Sequence, residues 1–273
     1  MRREKRATRR ENPGEAESRP RADFGTSSTA ALTDSRGLRD VHRQRGMETR
    51  EYAAEELLGP LNEVERKNAP RRLFVAGDVG LLRAGPRVSV VGSRKVSAEG
   101  LARTRALTKA LVKRGMVVVS GLAEGVDTAA HETAIVEGGR TIAVIATSLD
   151  EAYPAKNRVL QERLKGEHFV VSQFPPGSPV QPKNFPIRNR TMALISDATV
   201  IVEAGEKSGT LHQGWEALRL GRLLFLMESV ANDPSLAWAK EMMRYGAQVL
   251  SRENLELVLE GMPELARGEP VML

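Results

Sequence analysis

The chain has no cysteine in 273 residues. That absence excludes a disulfide framework, thiolate zinc ligation and a cysteine nucleophile, and it suits a reducing cytoplasm. Aromatic residues are scarce, with 2 Trp, 3 Tyr and 6 Phe, so extensive stacking of side chains on nucleic-acid bases is not expected. No apolar run approaches the ~18–20 residues that span a bilayer. The basic start Met1 to Arg10 gives way to Glu11, Asn12 and Pro13 rather than to an apolar signal core. A cytoplasmic chain with no membrane partner is therefore expected.

What is present is enough for a real core: 41% of residues are hydrophobic and 24 are glycine. The length favours one large α/β domain or two small ones. A net charge of +6 invites a nucleic-acid partner, but most of it falls within residues 1–50, and residues 51–273 are almost neutral. Residues 1–50 mix Arg, Glu, Ser, Thr, Pro and Gly without helical or strand period, which predicts a disordered basic leader. Such a leader could touch DNA, but its interspersed acids favour a plain solvated segment.

Residues 51–86 hold a short helical stretch, Ala53 to Leu58, and the run Arg72-Leu73-Phe74-Val75. They read as a small accessory element packed beside the main domain. Beyond Pro86, β-branched runs alternate with helical patterns. Strands are expected at Val88–Val91, Val117–Ser120, Thr141–Ala146, His168–Ser172, Thr199–Val202 and Leu223–Met227. Helices are expected at Ser97–Arg114, Val126–Glu137, Ala155–Lys165, Arg188–Ser196 and Gly209–Leu220. The order implies right-handed βαβ units and a doubly wound, mostly parallel α/β sheet over residues 87–262. Near its end come helices at Leu236–Tyr245 and Leu255–Leu259 around a strand at Gln248–Leu250, and residues 263–273 form a tail.

Ligands of open α/β sheets bind beyond the carboxyl ends of the strands, so those turns carry the functional signal. The first runs Gly92-Ser93-Arg94-Lys95, with Ser97 placed as a helix N-cap. Gly92 permits close backbone approach, the helix start presents free N–H groups, and Arg94 offers a fork for phosphate. The three spaced glycines of the usual dinucleotide fingerprint are missing, which disfavours NAD. The second turn, Gly121 to Gly125, leads to Asp127, which either orients the turn or serves as a first-turn acid favoured by the helix dipole. His131, one turn later, reads as a packed or exposed helix residue, with no metal-like spacing beside it. The third turn ends in Gly205, followed by Ser208-Gly209-Thr210 at another helix start.

A fourth segment, Lys183-Asn184-Phe185-Pro186-Ile187-Arg188-Asn189-Arg190, reads as a loop. It combines cations with a stacking surface, as single-stranded nucleic acid requires. It equally fits a proline-braced lid whose arginines pair with Asp197 or Glu203.

From about Ala69 to Met227 the chain resembles the DNA-processing protein A (DprA/Smf) family. The matching segments are Gly92-Ser93-Arg94, Ser120 to Ala123 with Gly125 to His131, Gly138 to Val144, Tyr153-Pro154 with Asn157, Phe185-Pro186 with Arg188-Asn189-Arg190, and Val202-Glu203-Ala204 with Ser208 to Leu211. The resemblance implies an extended Rossmann-like fold, a homodimer, single-stranded DNA as ligand and a RecA-type recombinase as partner. It implies a nucleic-acid-binding set of Gly92, Ser93, Arg94, Lys95, Gly121, Gly125, Lys156, Lys183, Asn184, Phe185, Arg188, Asn189, Arg190, Ser208, Gly209 and Thr210. The sequence departs from the family pattern at Thr191 to Leu194 and at His212-Gln213-Gly214-Trp215. No winged-helix module is recognisable after Leu250.

Two rival functions share this kind of fold. Phosphoribohydrolase-like nucleotide-processing enzymes place a catalytic Glu three residues after a Gly-Thr pair, where this chain has Gln213, with Glu216 one turn later. A sensor of a nucleotide-derived signal would use the same anion donors. His42, His131, His168 and His212 stand beside no credible nucleophile turn. The expectation is a non-enzymatic protein without cofactor that binds single-stranded DNA by its backbone and assists recombinase loading in DNA uptake, recombination or repair.

Overall fold

The structure, a computed structural model, describes residues 48–206 and 208–266, with side chains up to Met262. Nearly all of the expected leader and most of the expected tail lie outside the described residues. The chain begins with strand β1 (Arg50–Ala53), helices α1 (Ala54–Leu58) and α2 (Glu63–Arg66), strand β2 (Arg72–Gly77) and a 3₁₀ turn at Val79–Arg83. Then follow β3 (Arg87–Gly92), α3 (Ala98–Lys113), β4 (Val117–Ser120), α4 (Val126–Val136), β5 (Arg140–Ile145), α5 (Arg158–Glu167) and β6 (Phe169–Ser172). The remainder is α6 (Asn184–Ile195), β7 (Ala198–Glu203), α7 (Thr210–Arg219), β8 (Leu223–Met227), α8 (Glu228–Ala231), α9 (Ala237–Arg244), β9 (Gln248–Leu250) and α10 (Leu255–Ala266). Among the described residues, no helix is long and apolar enough to cross a membrane.

The strands form one sheet in the order β1-β2-β6-β5-β4-β3-β7-β8-β9. Every pairing from β6 to β9 is parallel. All six strands expected from the β-branched runs form, with ends shifted by a single residue at most. Residues 51–86 do not pack beside the sheet but extend it: β2 pairs antiparallel with β6, and β1 with β2. Burial explains this, because Leu73 to Gly77 is covered on both faces and needs neighbours in the sheet as well as above it.

Alternation along the parallel strands builds two cores. Val88, Val90, Val118, Val200 and Val202 face α3, α4 and α10, where Leu107, Leu111, Ala130 and Leu259 meet them. Val91, Val117, Val119, Ile142 and Ile201 face the other way, against Met192, Ala193 and Ile195 of α6 and Met242 of α9. At the amino-terminal edge of the sheet, Arg87 binds Asp197 through its main-chain N–H at 2.8 Å, Nε at 3.0 Å and Nη2 at 2.7 Å. That pair ties the start of β3 to the start of β7.

Chain order fixes where a ligand site can form. From β3 the sheet grows through β4, β5 and β6 in one direction, then resumes on the opposite side of β3 with β7, β8 and β9. The connections after β3 and β7 therefore leave toward opposite faces and open a crevice between them, the topological switch point of a doubly wound sheet.

His131 lies wholly within this framework, on α4. The Thr141 hydroxyl donates to the Val118 carbonyl at 2.9 Å and so accepts from His131 Nδ1 at 2.7 Å. Burial, aided by the nearby charges of His168 and Arg188, lowers its pKa from 6.5 to about 3. The folded state keeps this ring neutral, while the unfolded chain protonates it below pH 6.5. Its contribution is complete above that pH and is lost as pH falls toward 3. Urea unfolding at pH 7 and pH 5 is expected to show a stability loss about 2 kcal/mol smaller in His131→Gln than in the unsubstituted protein.

Candidate nucleic-acid groove

The switch-point crevice is a groove of about 740 Å³, walled by the turns after β3 and β7 and by the first turns of α6. Its first wall is Gly92 to Lys95. A bulge separates Val91 from Gly92 in the pairing with β7. A side chain at Gly92 would press its Cβ to 2.6 Å from Val126 Cγ2 and 2.8 Å from the Glu203 carbonyl, so only glycine fits. The Ser93 hydroxyl accepts the Lys95 N–H at 3.1 Å. Ser97 caps α3 as expected, its Oγ accepting the Gly100 N–H at 2.9 Å.

The second turn, Gly121 to Gly125, locks onto the first. Val126 donates its N–H to the Ser93 carbonyl at 3.3 Å. Gly125, at φ 77°, lies so close to the Ser93 carbonyl that a Cβ would collide with it. Leu122 holds a left-handed φ of 57° without being glycine, a strained position kept by full burial of its side chain. Asp127 fills both roles open to it: it sits in the first turn of α4, and its Oδ2 accepts the Ala123 N–H at 3.3 Å.

The segment Lys183 to Arg190 is not a loop. Helix α6 starts at Asn184, four residues before the expected Arg188, and Pro186 stands in its first turn, where no intrahelical N–H bond is lost. The helix sorts the expected donors onto two sides. Lys183 and Arg190 are exposed and do not line the groove, whereas Asn184, Arg188 and Asn189 are buried.

Arg188, 5% exposed, donates from Nη1 to the carbonyls of Gly121 and, at 2.9 Å, of Val144, and from Nε to Asn189 Oδ1 at 2.9 Å. Burial lowers its pKa from the ordinary range, and the charge of Asp127 opposes that shift. Burial likewise raises the Asp127 carboxyl, with Arg188 and the Ala123 N–H pulling it back. These two charges answer each other in the lining of the groove. Asn184 Nδ2 binds the carbonyls of Ala146 at 3.2 Å and Pro179 at 3.3 Å. Asn189 Nδ2 binds the Gly209 carbonyl at 3.0 Å. The alternative partners for the arginines are taken, Asp197 by Arg87 and Glu203 by Arg103.

The turn after β7 supplies the third wall. Ser208, Gly209 and Thr210 face the groove, with Ser208 Oγ accepting the Thr210 N–H at 3.2 Å and the Thr210 hydroxyl reaching the Gly92 carbonyl at 3.2 Å. Over the mouth, the Arg94 guanidinium lies 4.8 Å from the centre of the Phe185 ring. Tyr153 meets that ring edge-on, with centroids 5.3 Å apart. Lys156, nearby, pairs with Glu124 at 3.0 Å on the rim.

Tyr153, Met192 and Gln213 also line the groove and lie outside the expected binding set. Tyr153 carried a signal in the chain through the Tyr153-Pro154 match to the family, whereas Gln213 and Met192 stood out only as departures from expected patterns. Gln213 is fully buried and its amide engages the Thr199 hydroxyl at 3.2 Å. Glu216, the other candidate for a hydrolytic carboxylate, is held by Arg219 at 2.5 Å and is absent from the groove wall. A ring-held arginine, an exposed Lys95 and a buried Asp127 whose charge is offset by Arg188 line this crevice of a doubly wound sheet, a composition that suits an anion.

The chain belongs to the family of DNA recombination-mediator protein A, whose model matches residues 47–262; this is a family of DNA-binding mediators, not enzymes. It is 35% identical over 195 residues to the DNA processing protein DprA of Bacillus subtilis, covering 71% of this chain and 65% of that protein. It is 39% identical over 188 residues to the protein Smf of Synechocystis, covering 67% of this chain and 46% of that one. The match thus spans roughly half to two thirds of these relatives' lengths. The crystal structure of DprA from Streptococcus pneumoniae superposes with a TM-score of 0.66 at 31% identity, over 80% of this chain and 77% of that one. The structure of DNA processing protein A from Helicobacter pylori, reported for its single-stranded DNA binding mode, gives 0.66 at 25% identity over 80% and 96%.

Arg188 acts as a brace in this geometry. Arg188→Met is expected to cost about 3 kcal/mol of stability in urea unfolding, because it strands Asp127 and two carbonyls in a buried site. Asp127→Asn added to that variant should recover part of the loss. A loss of DNA affinity at unchanged stability would instead make Arg188 a ligand donor.

Proposed function

We propose that the groove binds the sugar-phosphate backbone of single-stranded DNA and that the protein, as a cytoplasmic homodimer, assists the loading of a RecA-type recombinase in DNA uptake, recombination or repair. The observation that carries this reading is Arg94, exposed on the groove wall and held over Phe185 at 4.8 Å. A guanidinium pinned on a ring is oriented before the ligand arrives, so less side-chain entropy is lost on binding phosphate. Backbone contact without a row of stacking aromatics predicts weak sequence preference and steep salt dependence. The Helicobacter pylori relative, studied for its single-stranded DNA binding mode, supports the choice of ligand. The family supports the mediator role.

Fluorescence anisotropy of labelled oligo-dT against a duplex of equal length, over a salt series, tests the reading. Preference for the single strand is expected. Arg94→Ala should weaken binding about tenfold at low salt and reduce the slope of log K against log salt by about 0.7, one phosphate contact on a single strand. Phe185→Ala should weaken it by about threefold to tenfold through the freed guanidinium. A version beginning at Glu48 should bind nearly as well as the full chain. Unchanged affinity of a folded Arg94→Ala, or competition by mononucleotides at equal phosphate concentration, would count against the reading.

A further inference from the structure

An acidic side chain packs against the cationic loop of the groove. Glu203 ends β7, opposite Gly92 in the sheet register. Its main-chain carbonyl accepts the Ser93 N–H at 2.7 Å. Its carboxylate reaches the far end of the same loop, where Oε1 accepts the Ser97 N–H at 2.8 Å and Oε2 accepts the Ser97 hydroxyl at 2.5 Å. Arg103 adds its Nη2 to Oε2 at 3.2 Å. One residue therefore grips both ends of the segment that presents Arg94 and Lys95.

The first turn of α3 is shaped around this carboxylate. Gly100 is helical, with no left-handed φ to require glycine, yet a Cβ there would collide with Glu203 Oε2 and come to 2.6 Å from Val96 Cγ2. Glycine costs helix stability at such a position relative to alanine. Here it makes room for the acid. Ser97 completes the arrangement: its hydroxyl hydrogen goes to Glu203 while its lone pair caps the Gly100 N–H at 2.9 Å.

A carboxylate beside a phosphate site should repel the ligand. We propose that Glu203 instead increases affinity for the strand: it is a positioning residue that orders the Gly92–Ser97 loop, with its own charge answered by Arg103 and Ser97. The inference rests on the assignment of single-stranded DNA to the groove. It makes a prediction of opposite sign to simple electrostatics.

The test is oligo-dT anisotropy over a salt series with the full-length protein, Glu203→Gln, Gly100→Ala, Arg94→Ala and the double variant Glu203→Gln/Arg94→Ala, each with a thermal melt. Glu203→Gln should weaken binding about tenfold at low salt and lower the salt slope by about 0.7, as loss of the Arg94 contact does. The double variant should bind no more weakly than Arg94→Ala, since both changes remove one contact. Gly100→Ala should reproduce the weakening, because its Cβ displaces the acid from Ser97 and Arg103. Tighter binding by Glu203→Gln at unchanged slope would overturn the proposal and leave the acid as a repellent. A lowered Tm with unchanged affinity and slope would overturn it too, reducing Glu203 to structural support. If Arg94→Ala binds like the unsubstituted protein, the groove assignment itself falls, and the role of Glu203 with it.

Discussion

Two turns that touch through their backbones hold the groove open. The carbonyl of Ser93 lies against Gly125 and receives the Val126 N–H, while Gly92 sits against Val126 and the Glu203 carbonyl. A side chain at Gly125 would run into the main chain of Ser93 and Arg94, and one at Gly92 into the Glu203 carbonyl at the end of β7; main-chain atoms cannot swing aside as a flexible side chain does. The same contact fixes the main chain on either side of Arg94, whose guanidinium lies over Phe185.

Charge is then distributed in two tiers. Beneath the surface, Arg188 answers Asp127, Arg87 answers Asp197 and Arg103 answers Glu203. Buried or half-buried ions of this kind are costly unless their charge is answered. On the groove wall, Arg94 and Lys95 remain exposed. A body that is almost neutral after residue 50 can therefore bind a polyanion through local placement rather than through a basic surface.

Much of this was legible in the chain. The parallel strands follow from β-branched runs, and the glycine-rich turns at Gly92, Gly121 and Ser208 mark the edge where the crevice opens. What stayed hidden has physical causes. Pro186 reads as a loop signal, yet in the first turn of a helix it breaks no bond, so α6 begins earlier and turns Arg188 and Asn189 inward. The antiparallel strand β2 was concealed because a run such as Leu73 to Ala76 is apolar on both faces and has no period to declare its state. The brace formed by Arg188 joins residues 67 positions apart in sequence, from Arg188 to Gly121, and no local pattern encodes such a pairing. Residue type marked Arg188 as a cation; only packing makes it a strut.

The central claim is that the strand lies across the switch point, against the turns after β3 and β7. Amide hydrogen exchange of the full-length protein with and without oligo-dT addresses it most directly. The account predicts new protection in the turns following Gly92 and Gly205 and in the first turn of α6, with the opposite edge of the sheet, at Arg140 and Met116, unaffected. Protection confined to residues 1–47, with those turns exchanging as in the free protein, would contradict it.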